Sequence, residues 1–334
     1  MDLLLKSLDF FFRQQIFRTF ARINTHSMIF PPPLSKHDTV RLVSPAGFIE
    51  SDLLDGAGHT LSKWGWKVIQ GASAAQVYGR FAGTVEERLY DLQEAFNDPL
   101  CKAIFCSRGG YGAIQLVDKL DMRGFKEHPK WLIGYSDITL LHALLQQQGY
   151  ASIHGGMAKR LATGDDPQVD FSTGKPLKLL RALLTGSKPE ITIPSHPLNR
   201  MGQGSGPLRG GNLSILYSLR GTSLDYLPKG CVLFIEDTGE RPYAVDRMMH
   251  NLKLGGILQH LSGLVVGQFS DYSEDPLMLK SVYELIADTV SDYDFPVCFD
   301  FPVGHTERNI PLLMGSGVEL TVQDDGVHLS YTCC

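Results

Sequence analysis

Short apolar runs alternate with amphipathic stretches over residues 39–154, and this alternation predicts a sheet covered by helices. The predicted strands span 39–45, 66–70, 103–106, 131–134 and 151–154, and the predicted helices span 52–63, 85–97, 111–120 and 138–148. The strands are apolar on both faces, which is typical of parallel strands packed between layers of helices. Side chains that bind or react gather at the carboxyl ends of such strands.

A second block of alternating elements begins near Leu208 and ends in a hairpin. Its predicted strands span 231–235, 263–267 and 297–301, its helices span 212–219, 244–254 and 277–288, and its hairpin joins 318–322 to 326–331. Residues 162–206, between the two blocks, are rich in Gly, Pro, Ser, Asp and Lys. We interpret this segment as a linker that contains one helix, at about 176–184.

The pattern predicts an α/β protein of two domains. Residues 34–160 are expected to form an N-terminal domain with a doubly wound parallel sheet of the flavodoxin or glutamine-amidotransferase type. Residues 208–334 are expected to form a smaller C-terminal α/β domain with a β-rich core, joined to the first by the linker 161–207. Residues 1–33 form an N-terminal extension, for which we predict a helix.

The extension carries apolar residues at every fourth position, which predicts an amphipathic helix. These residues are Leu4, Leu8, Phe12, Ile16 and Phe20. Asp9 and Arg13 interrupt the apolar stretch, so it is a poor signal peptide and too polar to span a bilayer. We favour a helix packed on the protein, or an extension upstream of a native start near Met28, over a helix on a membrane surface.

The composition is that of an ordinary globular protein, with 43% apolar residues, 20% charged residues and a net charge of −5. A nucleic-acid-binding surface would require clustered Lys and Arg, so we expect a small-molecule or peptide substrate instead. The cysteines lack a C-x-x-C spacing and no H-E-x-x-H motif is present, so we predict neither a metal site nor a cofactor. Reduced thiols in a chain of this length are typical of a cytoplasmic protein.

Ser136 directly follows a predicted strand, in the sequence Gly-Tyr-Ser-Asp at 134–137. A serine at a sharp strand-to-helix turn projects its hydroxyl outward, close to helix amides that favour a developing anion. The G-x-S-x-G pattern of such turns is incomplete here, because Ile138 occupies the last position. The alternative is that Ser136 or Asp137 merely caps the following helix.

Glycines follow the predicted strand 103–106, in the sequence Ser-Arg-Gly-Gly-Tyr-Gly at 107–112. Paired glycines let the backbone approach a ligand closely and direct N–H groups at an oxyanion. The G-x-G-x-x-G order and the Walker lysine are both missing, which argues against a phosphate loop. A plain tight turn is the other interpretation.

Acidic and imidazole groups end two strands of the second block. Glu236 and Asp237 follow one strand, and His305 follows the other after Pro-Val-Gly. The alternative for the acids is that Asp237 caps a turn while Glu236 is solvated. Among the 11 histidines, His154 is the other candidate base.

A hydroxyl, a carboxylate and an imidazole at three strand ends are the groups that nucleophilic acyl transfer requires. The imidazole takes the serine proton, and the carboxylate fixes the imidazole tautomer and stabilises its cation. The backbone amides of Gly110 and Asp137 are placed to donate hydrogen bonds to a tetrahedral oxyanion. Sequence order alone does not establish that these groups meet.

At these positions the chain resembles the LD-carboxypeptidase family of serine peptidases, which includes muramoyltetrapeptide carboxypeptidases and microcin-immunity peptidases. The resemblance extends over about residues 39–322. Its motifs are Ser44-Pro45-Ala46, Arg108-Gly109-Gly110-Tyr111-Gly112, Gly134-Tyr135-Ser136-Asp137 with Thr139 and His142, Gly210-Gly211-Asn212-Leu213, Glu236-Asp237 with Asp246-Arg247, and Gly304-His305. Gly156 departs from the family pattern, since many relatives carry proline there.

The resemblance implies a Ser-His-Glu triad, with Ser136 as the nucleophile, His305 as the general base and Glu236 as the acid that orients it. Gly110 and Asp137 would supply the oxyanion amides, and the site would lie in the cleft between the two domains. Arg108 is expected either to bind a substrate carboxylate or to form a structural ion pair.

The reaction implied by the resemblance is metal-free hydrolysis of the amide between an L-configured centre and a C-terminal D-amino acid. The typical substrate is a recycled cell-wall tetrapeptide, and members of the family work in the cytoplasm, commonly as homodimers. We therefore expect a peptide substrate, no nucleic acid, no membrane association and no cofactor.

Two other functions compete with this prediction. A microcin-immunity hydrolase, which cleaves an acyl group from a nucleotide-like amine, would be expected to carry aromatic residues in the linker for stacking on a base. Phe171 is the only Phe, Tyr or Trp between residues 162 and 206, which favours the cell-wall substrate. A non-catalytic binding module on the same scaffold would leave an active-site serine probe unreacted.

Overall fold

The computed structural model describes residues 28–169, 172 and 174–332 of the chain. The predicted helix in residues 1–27, together with Phe171, Cys333 and Cys334, lies outside the described residues. Over the described part, every helix is too short or too polar to cross a lipid bilayer.

The described residues form the following strands and helices. The strands are β1 Thr39–Val43, β2 Lys67–Gln70, β3 Cys101–Cys106, β4 Trp131–Gly134, β5 Ser152–His154, β6 Ile191–Ile193, β7 Gly202–Asn212, β8 Val232–Thr238, β9 Gly263–Ser270, β10 Val297–Cys298, β11 Leu312–Met314, β12 Gly317–Gln323 and β13 Gly326–Tyr331. The α-helices are α1 Ser51–Lys63, α2 Val85–Asn97, α3 Arg123–Glu127, α4 Thr139–Gln147, α5 Ala158–Thr163, α6 Pro176–Leu184, α7 Leu213–Ser218, α8 Pro242–Leu254 and α9 Val282–Thr289. Short 3-10 helices span Ala113–Gln115, Ser136–Ile138, Leu258–His260 and Pro276–Met278.

The first sheet is doubly wound, as the alternating pattern predicts. Its parallel strands have the order β2-β1-β3-β4-β5, and β11 adds to β5 in the antiparallel direction. Buried apolar side chains cover both faces of this sheet, so each face packs on helices. The carboxyl ends of β1, β3 and β4 consequently lie along one edge.

The second sheet is mixed. Its strand order is β10-β9-β8-β7-β12-β13-β6, with parallel pairs from β7 to β10 and antiparallel pairs from β7 to β6 through β12 and β13. The predicted α/β architecture with two domains is therefore confirmed, and so is the closing hairpin. The domain boundaries proposed from the sequence stay a prediction.

Two strands of the second sheet lie in the segment that we interpreted as a linker with a single helix. The helix α6 has the predicted bounds, but β6 and the first half of β7 also belong to this segment. In β7, Cβ atoms at Gly204 and Gly206 would lie 1.8 Å from the carbonyl oxygens of Ser262 and Gly230. The glycines that suggested a linker therefore allow neighbouring backbone segments of the same sheet to approach closely.

The predicted helix at 111–120 is wrong, because only the 3-10 turn Ala113–Gln115 forms there. Gly112 has a φ of 134°, and the amide of Ala113 donates to the carboxylate of Asp137. The φ of Gly112 lies outside the helical region, so a regular helix cannot run through this residue.

We predict that Gly210→Ala strongly destabilises the second sheet. A Cβ atom there would lie 1.8 Å from the carbonyl oxygen of Phe234, and the φ of 125° is already unfavourable for other residues. The loss should be about 3 kcal/mol or more, because the obstacle is backbone that cannot move aside. Thermal denaturation measures it. Gly221→Ala, also at positive φ but with open space around it, is the matched control and should cost about 1 kcal/mol; equal losses would contradict the steric argument.

Candidate active site

Ser136 occupies a strained turn between β4 and α4. Its φ is 64°, in the left-handed region that costs a non-glycine residue roughly 1–3 kcal/mol. Neither Ser136 nor Asp137 accepts a capping hydrogen bond from the first turn of α4, so the capping interpretation is wrong. A Cβ atom at Gly134 would lie 2.8 Å from Ile138, which explains why this turn combines an initial glycine with a final isoleucine. The geometry is that of a nucleophile elbow.

Glu236 and His305 form a hydrogen-bonded pair that is fully buried on the side of the carboxylate and partly buried on the side of the imidazole. The Nδ1 atom of His305 lies 2.7 Å from the Oε2 atom of Glu236, whose side chain is fully buried at the end of β8. Gly304 makes this approach possible, because a Cβ atom there would lie 3.2 Å from the same carboxylate oxygen. Burial lowers the pKa of His305, but the hydrogen bond and charge of Glu236 outweigh it, so the net shift of the pKa is upward.

Tyr135 brings the imidazole of His305 beside the serine turn. The ring centroids of Tyr135 and His305 are 5.0 Å apart in an edge-to-face arrangement, and Tyr135 immediately precedes Ser136. Within the described residues, no hydrogen bond joins the Ser136 hydroxyl to His305. Such bonds are often long before substrate binds.

The glycine-rich loop after β3 lies against the serine turn. A Cβ atom at Gly109 would lie 2.8 Å from the Cβ atom of Ser136 and 3.2 Å from the amide nitrogen of Asp137. Gly110 has a φ of 91°. Across the described part of the chain, the amides of Gly110 and Asp137 donate no backbone hydrogen bond outside a helix or strand. Two unengaged donors beside a serine hydroxyl can bind an oxyanion.

The side chain of Asp137 holds the next part of the glycine-rich loop. Its Oδ2 atom accepts a hydrogen bond of 2.9 Å from the amide of Ala113. Burial raises the pKa of Asp137 to about 6, while the amide of Ala113 and the charge of Arg88 act in the opposite direction. The amide of Asp137 thus lies beside Ser136, while its carboxylate accepts a hydrogen bond from the loop after β3.

Arg88 is a buried residue of this site that our sequence analysis missed. Its guanidinium donates to four acceptors in three segments: the carbonyls of Gly83, Pro45 and Gly112, and the side chain of Gln115. It also lies 4.9 Å from the ring centroid of Phe81. These contacts connect the loop after β1 with the loop after β3. A signal was present, since Arg88 begins the stripe of positions that α2 buries.

Arg108 is exposed at the rim of the glycine-rich loop. Its Nη1 atom donates a 2.7 Å hydrogen bond to the carbonyl of Phe48, and its guanidinium lies 5.4 Å from the Phe48 ring centroid. Over the part of the chain that is described, Arg108 makes no ion pair. Its proposed contact with a substrate carboxylate stays a prediction.

His154, the other candidate base, is completely buried. Its ring packs between those of Tyr135 and Phe234, with centroid distances of 5.7 and 4.9 Å. Burial, followed by the nearby His142 and His305, lowers the pKa of His154 well below its usual value. It therefore stays neutral in the wall behind the site.

Asp237 has a separate role from its neighbour Glu236. Its carboxylate accepts hydrogen bonds from the side chain of Asn212 and from the amides of Ser214 and Thr238. Burial and the charge of Glu236 raise the pKa of Asp237 to about 7. No cluster of three or more metal-binding side chains occurs among residues 28–169, 172 and 174–332.

Models of two protein families match most of the chain. The model of the LD-carboxypeptidase N-terminal domain matches residues 40–155, and that of the LD-carboxypeptidase C-terminal domain matches residues 205–320. The first match contains Ser136, and the second contains Glu236 and His305.

Related proteins and structures agree with these matches. A protein of Bacillus subtilis described as a "Probable murein peptide carboxypeptidase" is 35% identical over 295 residues, 86% of this chain and 89% of its own. The murein tetrapeptide carboxypeptidase of Pseudomonas aeruginosa is 31% identical over 274 residues, 81% of this chain and 89% of its own. The crystal structure of muramoyltetrapeptide carboxypeptidase from Oxalobacter formigenes has a TM-score of 0.78 at 27% identity, covering 88% of this chain and 99% of that chain. The microcin C7 self-immunity protein MccF of Escherichia coli is 24% identical over 340 residues, 93% of this chain and 97% of its own.

We predict that Glu236→Gln shifts the pH dependence of Ser136 reactivity to lower pH. A general base must be neutral, and the charge of Glu236 holds the proton on His305, so wild-type reactivity should rise with pH through the raised pKa. Without that charge the pKa falls and the acid limb moves down, while the maximal rate drops roughly 10³-fold. Labelling by a fluorophosphonate probe across pH measures both effects. Glu94→Gln, on an exposed face of α2, is the control; an unmoved acid limb in Glu236→Gln would contradict the pairing.

We predict that Arg88→Met slows the same labelling reaction roughly 10- to 100-fold, because the loop that carries Gly110 loses its anchor. Arg88→Lys should recover part of the rate, since an ammonium cannot reach all of the acceptors. Arg123→Met, which removes an exposed arginine from α3, is the control. If Arg88→Met folds, as judged by circular dichroism, and labels at the wild-type rate, the anchoring role is wrong.

Proposed function

The chain belongs to the LD-carboxypeptidase family and is a serine carboxypeptidase, and from this premise we propose that it removes the C-terminal D-amino acid from murein tetrapeptides. The observation that carries the proposal is the hydrogen bond between His305 and the buried carboxylate of Glu236, beside the strained turn of Ser136. A carboxylate, an imidazole and a serine in this order form the charge system of acyl transfer.

The proposed reaction begins at the Ser136 hydroxyl. His305 accepts the hydroxyl proton through Nε2, because its Nδ1–H is held by Glu236. The serine oxygen then attacks the carbonyl carbon of the L-configured centre, and the amides of Gly110 and Asp137 stabilise the tetrahedral oxyanion.

The intermediate collapses when the bond to the D-amino acid breaks. His305 returns its proton to the leaving amine, so the amino acid departs and an ester to Ser136 remains. Water, deprotonated by His305, then hydrolyses the ester and regenerates the hydroxyl. The buried Glu236 stabilises the imidazolium in both half-reactions.

Arg108 is the proposed contact for the terminal carboxylate of the substrate. Its guanidinium is exposed beside Gly110 and uses Nη1 for the carbonyl of Phe48. The remaining N–H groups can form a bidentate pair with a carboxylate. We further propose, from the family resemblance, that the enzyme is a cytoplasmic homodimer.

A second candidate function is hydrolysis of aminoacyl-nucleotide conjugates. The relative MccF, named for microcin C7 self-immunity, favours it, and a structure of MccF contains aspartyl sulfamoyl adenosine. That structure has a TM-score of 0.80 at 20% identity, so its likeness shows the fold alone. The scarcity of aromatic residues at 162–206 argues for the murein peptide instead.

Mass spectrometry of a murein tetrapeptide incubated with the protein tests the proposed function. With a chelator present throughout, the wild-type protein should release D-alanine, and Ser136→Ala should release none, since an alanine cannot form the ester. Ser291→Ala, at an exposed turn, is the matched serine control and should behave as wild type.

Three other results would change the assignment. Release by Ser136→Ala at the wild-type rate would exclude this serine as the nucleophile. No release from the tetrapeptide, combined with cleavage of an aminoacyl sulfamoyl adenosine, would favour the second candidate. Failure of the fluorophosphonate probe to label the wild-type protein would indicate a non-catalytic binding module.

A further inference from the structure

Arg160 connects the loop of His305 to the half of the molecule that carries Ser136. From α5, its Nη1 atom lies 2.5 Å from the Oε2 atom of Glu307, and its Nη2 atom donates a 2.9 Å hydrogen bond to the main-chain carbonyl of the same residue. The side chain of Arg160 is only 12% exposed. One guanidinium thus contacts both the side chain and the backbone of Glu307, two positions beyond His305.

The helix that carries Arg160 is itself attached to the serine turn and to the glycine-rich loop. The amide of Ala158, the first residue of α5, donates to the carbonyl of Ser107 at 3.1 Å. Just before the helix, the amide of Gly155 donates to the carbonyl of Gly134 at 3.1 Å. The position of Arg160 is therefore defined relative to Ser136 and Gly110.

The loop on the other side is closed by hydrogen bonds between its two ends. The amide of Gly304 donates to the side chain of Asn309 at 3.1 Å, and the amide of Ile310 donates to the carbonyl of Pro302 at 2.9 Å. A contact at Glu307 consequently restrains the whole loop, including His305.

We propose that Arg160 is a positioning residue that sets the distance between His305 and Ser136. The hydrogen bond that His305 donates to Glu236 orients the imidazole but does not by itself fix its alignment with the serine, because both members of that pair lie in the second half of the chain. The double contact from Arg160 restrains that alignment across the two halves, in addition to the pairing of β11 with β5. The catalytic part of this inference rests on the proposed function, whereas the tether itself does not.

The two contacts of Arg160 should differ in importance. Glu307 is 54% exposed, so water and salt screen the ion pair. The hydrogen bond to the main chain restrains the loop directly and remains when only the carboxylate is neutralised. Lysine cannot reproduce the fork that reaches both acceptors.

Hydrogen exchange and steady-state kinetics of Arg160→Met, measured side by side, test the inference. Amides of residues 303–310 should exchange at least about tenfold faster than in wild type, because the loop opens more often. The kcat for the murein tetrapeptide should fall roughly 10- to 100-fold with KM within about twofold, since alignment and not binding is lost. The acid limb of the pH profile should stay in place, because Glu236 still partners His305.

Three further variants sharpen the test. Glu307→Gln should lose less kcat than Arg160→Met, and Arg160→Lys should fall between Arg160→Met and wild type. Arg123→Met, which breaks an exposed pair whose N–O distance is also 2.5 Å, should leave exchange and kcat unchanged.

The outcomes separate this inference from the proposed function. Unchanged exchange in Arg160→Met overturns the tether, whether or not the tetrapeptide is cleaved. Faster exchange with unchanged kcat overturns the positioning role. If wild-type protein does not cleave the tetrapeptide, the proposed function fails, and the fluorophosphonate labelling rate of Ser136 replaces kcat as the measure of alignment.

Discussion

The pairing of β11 with β5 is the constraint on which the site depends. Three residues from the second half of the chain, Leu312–Met314, complete the first sheet, with Leu312 opposite His154. The loop that carries His305 ends where this strand begins, so the imidazole is delivered to the sheet whose β4 leads into Ser136. Without this shared strand, the alignment of the serine with its base would depend only on side-chain and loop contacts between the halves, which are weaker restraints than a continuous sheet.

A second contact between the halves locks the helix after the serine. The amide of Asn212 donates to the hydroxyl of Thr139 at 3.1 Å, and a Cβ atom at Gly211 would lie 2.6 Å from that hydroxyl. Asn212 also donates to Asp237, the residue next to Glu236. The start of α4 is thus connected through one asparagine to the strand end that holds the orienting carboxylate. Two adjacent acids therefore serve different purposes: Glu236 partners the imidazole, and Asp237 fixes the contact between the halves.

Much of the fold, but less of the site, could be predicted from the sequence. The bounds of α2, β4 and α6 agree with the predicted ranges, because these elements have clear apolar periodicity and local signals such as the capping box of Thr84 and Glu87. β7 was missed because its glycines meet a requirement for close packing that only neighbouring strands reveal. β11 was missed because three residues are too few for any periodicity. Arg88 and Arg160 escaped notice for a related reason: their acceptors are mostly backbone carbonyls, which carry no sequence signature.

The residues that could be proposed from the sequence differ in function from those that could not. Groups proposed to form or break bonds must have particular side chains, so Ser136, Glu236 and His305 could be proposed as candidates from their positions after strands, and the family resemblance supplied their roles. A side chain that holds the backbone needs only a hydrogen-bond donor that reaches the carbonyl. Which residue type can do this depends on distances that the fold creates. The backbone strain at Ser136 shows how the two sets interact, since a φ of 64° persists only where surrounding contacts enforce it. Arg88 and Arg160, which donate hydrogen bonds to backbone carbonyls near this turn, are therefore as much a part of the site as the residues proposed to carry the chemistry.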